Sequence, residues 1–113
     1  MCFDCAGNCY VADNGNGRIQ MFTEDGQYLR QFGKKGVGEG EIADCIGIAI
    51  DADIVYTVDR DNHRISLFTT DGSFLTSFGT VGIGPGQFNK PYGICIDDIG
   101  LMYISDSNRI QVF

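Results

Sequence analysis

The chain has 113 residues and a formal net charge of −7, with 43% hydrophobic and 20% charged side chains, 16 Gly, 2 Pro, 5 Cys and no Trp. It is too short for two ordinary domains and too apolar for a disordered segment. No apolar stretch approaches the ~20 residues that span a bilayer, and the acidic balance works against general nucleic-acid binding.

The first residues, Met1-Cys2-Phe3-Asp4, lack the basic and apolar regions of a signal peptide. Five cysteines without a compact framework spacing point to thiols kept reduced, and so to a cytoplasmic setting. Residues 10–51 lie over 56–97 without a gap, and 19 of those 42 positions are identical, which is beyond chance. Tyr10, Asp13, Asn16, Arg18, Ile19 and Phe22 fall on Tyr56, Asp59, Asn62, Arg64, Ile65 and Phe68. A third copy follows with Tyr103, Asp106, Arg109, Ile110 and Phe113, and Met1–Asp4 matches Ile48–Asp51 and Ile94–Asp97.

Within each period every signal is β. The innermost strand alternates bulk and small residues, with Ile46, Ile48 and Ile50 against Gly47 and Ala49, as expected of a strand buried on both faces. Ile54–Val58, Arg64–Phe68 and Phe74–Phe78 follow as short strands rich in β-branched and aromatic residues. Asp25-Gly26 and Asp71-Gly72 supply the positive φ of a tight turn between the last two strands of a period. No helical period occurs.

Four short antiparallel strands in about 45 residues are the signature of a propeller blade. The predicted fold is therefore all-β: a partial β-propeller occupying 1–113, with blades at roughly 1–32, 46–78 and 92–113. The first two blades have four strands, named a to d from the central channel outward, and the third has three. Propellers close with about four blades or more. The chain is thus expected to be a piece of a larger ring, or to be completed by self-association, and to aggregate or unfold broadly when expressed alone.

The repeat resembles the NHL repeat. The motifs are Lys90-Pro91-Tyr92-Gly93-Ile94-Cys95-Ile96-Asp97, Asp61-Asn62-His63-Arg64-Ile65-Ser66-Leu67-Phe68, and the connector Gly82-Ile83-Gly84-Pro85-Gly86-Gln87-Phe88-Asn89. The absence of Trp and of a Gly-His…Trp-Asp pattern argues against a WD40 propeller. The style of Asn-x-Arg-Ile-Gln-x-Phe is most similar to the C-terminal NHL propeller of tripartite-motif (TRIM) RING ubiquitin ligases. That resemblance implies six blades, and a parent protein in which RING, B-boxes and coiled coil precede the propeller. Departures are Cys45 for Pro, Gly17 in the position of His63, and Asp106-Ser107-Asn108-Arg109, two residues shorter than its counterpart.

Asp13/Arg18, Asp59/Arg64 and Asp106/Arg109 read as charge pairs repeated in each blade, and repetition assigns them to tying down the b–c loop or clamping adjacent blades rather than to catalysis. Asp4, Asp51 and Asp97 end the innermost strands. They either ring one mouth of the channel, where carboxylates suit Ca²⁺, or fix the turn into strand b. The turn is the reading favoured by residue chemistry. His63 alone cannot make a zinc site. Cys2-x-x-Cys5-x-x-x-Cys9 resolves, on the repeat alignment, into small buried thiols. Gly36-x-Gly38-x-Gly40 and Gly82-x-Gly84-x-Gly86 precede no helix and so lack the anion cradle of a phosphate loop.

The b–c loops and d–a connectors remain as a candidate binding face, carrying Lys34, Lys35, Arg60, Asn62, His63, Asn89, Lys90 and Tyr92. The expected function is a protein-binding, substrate-recruiting module of a TRIM-type ubiquitin ligase, with no catalysis and no cofactor in this chain. Zinc would belong to an upstream RING or B-box. The alternative is RNA bound on the same face, with bases stacked on aromatics. A metal-dependent lactonase or lyase ranks below both.

Overall fold

Strand-forming residues and Asp-Gly turns recur with the repeat, and in a computed structural model each period becomes one small antiparallel sheet. The structure describes every residue of 1–113 except positions 14 and 108, so Asn108 of the third-copy motif lies outside the described residues. The first blade orders β1 (Cys2–Phe3), β2 (Cys9–Asp13), β3 (Arg18–Phe22) and β4 (Tyr28–Phe32) side by side. A connector follows with β5 (Lys34–Lys35) parallel to β6 (Glu41–Ile42). The second blade comprises β7 (Cys45–Asp51), β8 (Ile54–Asp59), β9 (Arg64–Thr69) and β10 (Phe74–Phe78). Its connector pairs β11 (Thr80–Val81) with β12 (Gln87–Phe88). The third sheet has β13 (Ile94–Ile96), β14 (Met102–Ser105) and β15 (Ile110–Val112).

The two short parallel pairs were not expected from sequence. Each connector folds back on itself through its glycines: Gly38 N donates to Glu41 Oε1 at 2.9 Å and Gly84 N to Gln87 Oε1 at 3.0 Å. A Cβ on Gly36 or Gly82 would stand 2.3 Å from that same side-chain oxygen. These two glycines leave room for that side chain to close the connector, so they serve its fold-back and not an anion cradle. At the c–d turns Gly72 has φ +96°, and a Cβ there would meet Phe32 Cβ of the first blade at 2.8 Å.

The core lies between blades. One cluster joins Tyr10, Ile19, Met21 and Phe32 of the first blade to Cys45, Ile48, Val55 and Phe68 of the second, with Ile42 from the connector. The next joins Val58 and Ile65 to Ile104, with Phe88 from the second connector. Each fully buried Val, Ile or Phe here contributes roughly 1.5–3 kcal/mol, so blades stabilise one another pairwise.

The same repeat positions show where stacking stops. Ile19 and Ile65 are 0% exposed, whereas Ile110 is 68% exposed; Ile48 is 8% exposed, whereas Met1 is 77%. Ile110 and Val112 lie on the outer side of the third sheet, and Met1 and Phe3 on the outer side of the first. The molecule is an arc of three propeller blades with an uncovered apolar face at each end.

Candidate interaction face and its connector clamps

Local chemistry first explains the strand ends. Asp4 Oδ1 accepts from the amides of Ala6 and Asn8, and its Oδ2 from the Tyr10 hydroxyl at 3.1 Å. Asp97 repeats this with Ile99, Leu101 and the Tyr103 hydroxyl at 2.9 Å. Both carboxylates are thus committed to the turn into strand b. Asp51 differs because its turn is one residue shorter, with Ala52 at φ +55°. Burial works to raise the Asp4 carboxyl, but the bonds from Asn8, Tyr10 and Ala6 outweigh it and hold it below the usual value. The Leu101 amide is foremost in lowering Asp97.

The repeated Asp/Arg positions divide into two geometries. Arg18 Nε bonds Asp13 Oδ2 at 2.6 Å, and Arg109 Nε reaches Asp106 Oδ2 at 3.4 Å. The expected Asp59–Arg64 ion pair does not form, although the two residues face each other at the end of the β8–β9 hairpin. Asp59 is fully buried and takes the amides of Ala43 and Asp44, each at 3.0 Å, and the Asn62 amide at 2.8 Å. With its oxygens occupied, Asp59 leaves Arg64 Nε buried and without a partner among the described residues.

Arg64 instead reaches the connector. Its Nη1 donates to the Val37 carbonyl at 3.2 Å, and its Nη2 to those of Gly38 at 2.7 Å and Glu41 at 2.6 Å. Arg109 grips the next connector at the same three positions, Ile83, Gly84 and Gln87, at 2.7, 2.9 and 2.7 Å. Sequence reasoning placed these arginines in charge pairs that tie down the b–c loop or clamp adjacent blades; the connector carbonyls they grip were not foreseen. The signal was present, since each recurs with the same glycine connector upstream.

The predicted face residues are brought together by bonds between b–c loops and connectors. Asn62 Nδ2 donates to Gly36 O, Lys35 Nζ to Gly15 O, and Ser107 Oγ to Asn89 O. His63, at φ +52°, accepts the Lys90 amide on Nδ1 at 3.1 Å. Much of the positive charge is spent within the face. Arg60 bonds Asp44 at 2.5 Å and Asp61 at 3.3 Å, and Lys34 lies 3.9 Å from Glu41. Lys90 makes no ion pair among the described residues, and Tyr92 is about half exposed. Val37 and Ile83, at the same connector position, are both largely exposed while their carbonyls are held by Arg64 and Arg109.

The thiols only partly follow expectation. Cys45 is buried, and burial pushes it up to about 12; burial likewise pushes the half-buried Cys2 to about 11. Cys5 is exposed rather than buried, because it sits in the a–b turn, and Cys95 is exposed because no blade covers its side of β13.

A family model described as 6-bladed beta-propeller (DUF5128) matches residues 3–65. Among solved structures, a putative exported protein from Bacteroides fragilis is similar over 99% of this chain and 32% of its own, at 18% identity and TM-score 0.73. A streptogramin B lyase is similar over 99% and 38%, at 14% identity and TM-score 0.71. Virginiamycin B lyase from Staphylococcus aureus is similar over 99% and 39%, at 16% identity and TM-score 0.68. At these identities the likeness is one of fold, and the chain spans about a third to two-fifths of each protein. No curated protein matches the sequence.

Proposed function

The chain belongs to the 6-bladed beta-propeller family, and we propose that it acts as a rigid protein-binding module whose b–c loops and connectors face the partner. The observation that carries this reading is the fixed display of Val37 and Ile83, apolar side chains held out on clamped backbone. Preorganised loops lose little entropy on binding, and exposed apolar anchors favour a protein surface. The Arg60–Asp44 ion pair, with the net charge of −7, disfavours the RNA alternative.

In the finer reading the partner is a substrate delivered to a RING-type ubiquitin ligase, and zinc is confined to the ligase parts of the parent protein. This rests on the NHL motif resemblance. No reaction is assigned to this chain: its Asp/Arg sets recur as architecture, and His63 spends Nδ1 on the Lys90 amide. Five thiols without a disulfide among the described residues support a cytoplasmic setting.

The test compares proteins crosslinked to the native chain, within its parent protein, with those crosslinked to a Val37→Ser/Ile83→Ser/Tyr92→Ala variant. Loss of specific partners is expected. Full retention overturns the reading. A salt-dependent gel shift with RNA, abolished by changing Lys34, Lys35 and Tyr92, would replace it.

A further inference from the structure

The second and third blades hold the connector that leads into them through a shared Asp and Arg, with one further amide side chain that differs between the two. Arg64 and Arg109 take three connector carbonyls each. Asp59 takes the Ala43 and Asp44 amides, and Asp106 takes the Asn89 amide at 3.2 Å. Asn62 adds Gly36 O, while Gln111 donates to Gln87 O at 2.7 Å and accepts from Gly86 N at 3.0 Å.

The first blade carries the whole set at the equivalent positions, Asp13, Asn16, Arg18 and Gln20, and here it is turned in on itself. Arg18 Nε and Gln20 Nε2 both donate to Asp13 Oδ2, at 2.6 and 3.0 Å, and Asn16 Nδ2 donates to Asp13 Oδ1 at 3.1 Å. Both Nη groups of Arg18 make no bond among the described residues, and its side chain is 36% exposed.

We propose that Asp13, Asn16, Arg18 and Gln20 form a receptor for the main chain of one more Gly-x-Gly-x-Gly-(Glu/Gln) blade connector. Arg18 takes its carbonyls and Asp13 its amides. The chemistry selects this occupant over a simple anion. Arg18 alone would attract a phosphate or carboxylate, but Asp13 lies 2.6 Å from its Nε and repels one. A connector offers both acceptors for the guanidinium and donors for the carboxylate. The glycines are part of the recognition, because the folded loop turns three carbonyls to one side, and a Cβ at Gly36 or Gly82 would push aside the Glu41 or Gln87 side chain that closes it. A folded second copy of this chain is not the donor, since Arg64 and Arg109 already occupy both of its connectors. The connector therefore comes from a different blade.

The inference rests on the three-blade arc and not on the partner of the loop face. The partner assay can fail while this site still binds, and the reverse. The test appends a copy of residues 79–93 directly before Met1, the register in which Ile94 becomes Met1. The extended chain should melt at a higher temperature than the native one, while a glycine-free scrambled extension should leave the midpoint unchanged. Arg18→Gln should erase the gain, and Arg18→Lys, which keeps the charge but loses the fork, should retain only part of it. A synthetic 79–93 peptide added in trans should bind saturably and about tenfold more weakly to Arg18→Gln. If Arg18→Gln fails to fold, Gln20→Ala takes its place, with a smaller loss of the gain expected. An extension that stabilises nothing, or that stabilises the native and substituted chains equally, overturns the proposal.

Discussion

The ring of Phe32 lies 5.2 Å from that of Phe68 in the next blade, and Phe78 meets Phe113 one blade later at the same 5.2 Å. Strand d of each blade thus touches strand c of the next through one aromatic pair, tilted by 51° and 54°. Phe22 holds the position of Phe68 in the first blade and keeps the contact within its blade, to Tyr28 at 6.0 Å, as Phe68 does to Phe74 at 5.7 Å, but makes no ring contact to another blade among the described residues.

Position within the arc should therefore set the energetic weight of one and the same residue. Phe68→Ala removes a ring that is 1% exposed and should cost about 3–5 kcal/mol. Phe22→Ala should cost markedly less. Denaturant titration of both variants checks this, and equal losses would contradict pairwise stacking as the source of stability.

Asp59 should matter more than a surface carboxylate. Its three donors are two connector amides and Asn62, all within a buried site. Asp59→Asn keeps the shape but replaces an acceptor oxygen with a donor, so a loss of about 2 kcal/mol is expected. Asp13→Asn, in the partly exposed version of the same site, should cost much less. A chemical-denaturation comparison in which the two variants lose equal stability would show that the connector amides contribute nothing.

Much of this was legible in sequence, for reasons visible at single positions. The bulk-and-small alternation of Ile48 and Ala49 dictates a strand covered on both faces, and Asp71-Gly72 dictates its turn. What stayed hidden involves partners distant in the chain. Asp59 and Arg64 have the spacing of a charge pair, yet the Ala43 and Asp44 amides compete for the same oxygens and win. Fold-back of the connectors was likewise hidden, because it depends on Glu41 and Gln87 reaching amides that the glycines expose. Arg60, Asn62 and His63 lie in a b–c loop and Lys34 and Lys35 in a connector strand, but charge counting along the chain could not show that Arg60 would be tied to Asp44.

The Asp4–Tyr10 bond should leave a mark at both ends of the pH scale. The Asp4 and Asp97 carboxyls ionise below their unfolded values, so the unfolded chain binds more protons in acid. Their contribution is complete above about pH 4 and falls away as pH drops through the lowered folded values. Tyr10 runs the other way. Burial first, and then the bond to Asp4, push its hydroxyl up to about 12. Against an unfolded phenol near pH 10, its contribution is complete below about 10 and lost as pH rises toward the folded value. Melting midpoints across pH should show both limbs. Asp4→Asn should flatten the acid limb and lower the alkaline one. An acid limb unchanged in an Asp4→Asn/Asp97→Asn double variant would rule these carboxylates out as its cause.

Cys95 offers a direct probe of whether the arc is covered. It occupies the repeat position of Cys2 and Ala49, on the side of the innermost strand that faces the following blade. Ala49 is 9% exposed and Cys2 half-buried, each with that blade in place, whereas Cys95 stands exposed without it. In the isolated chain at pH 8, Cys5 and Cys95 should alkylate quickly and Cys2 slowly. Cys45, buried and pushed up to about 12, should react only on unfolding. When a further blade covers the third sheet, Cys95 should slow to the rate of Cys2 while Cys5, in its turn, stays fast. Mass-spectrometric mapping of the labelled thiols reads these four of the five cysteines at once. A Cys95 that remains as reactive as Cys5 in the longer propeller would mean that the next blade stacks elsewhere, and that the uncovered side of β13 is not a blade interface.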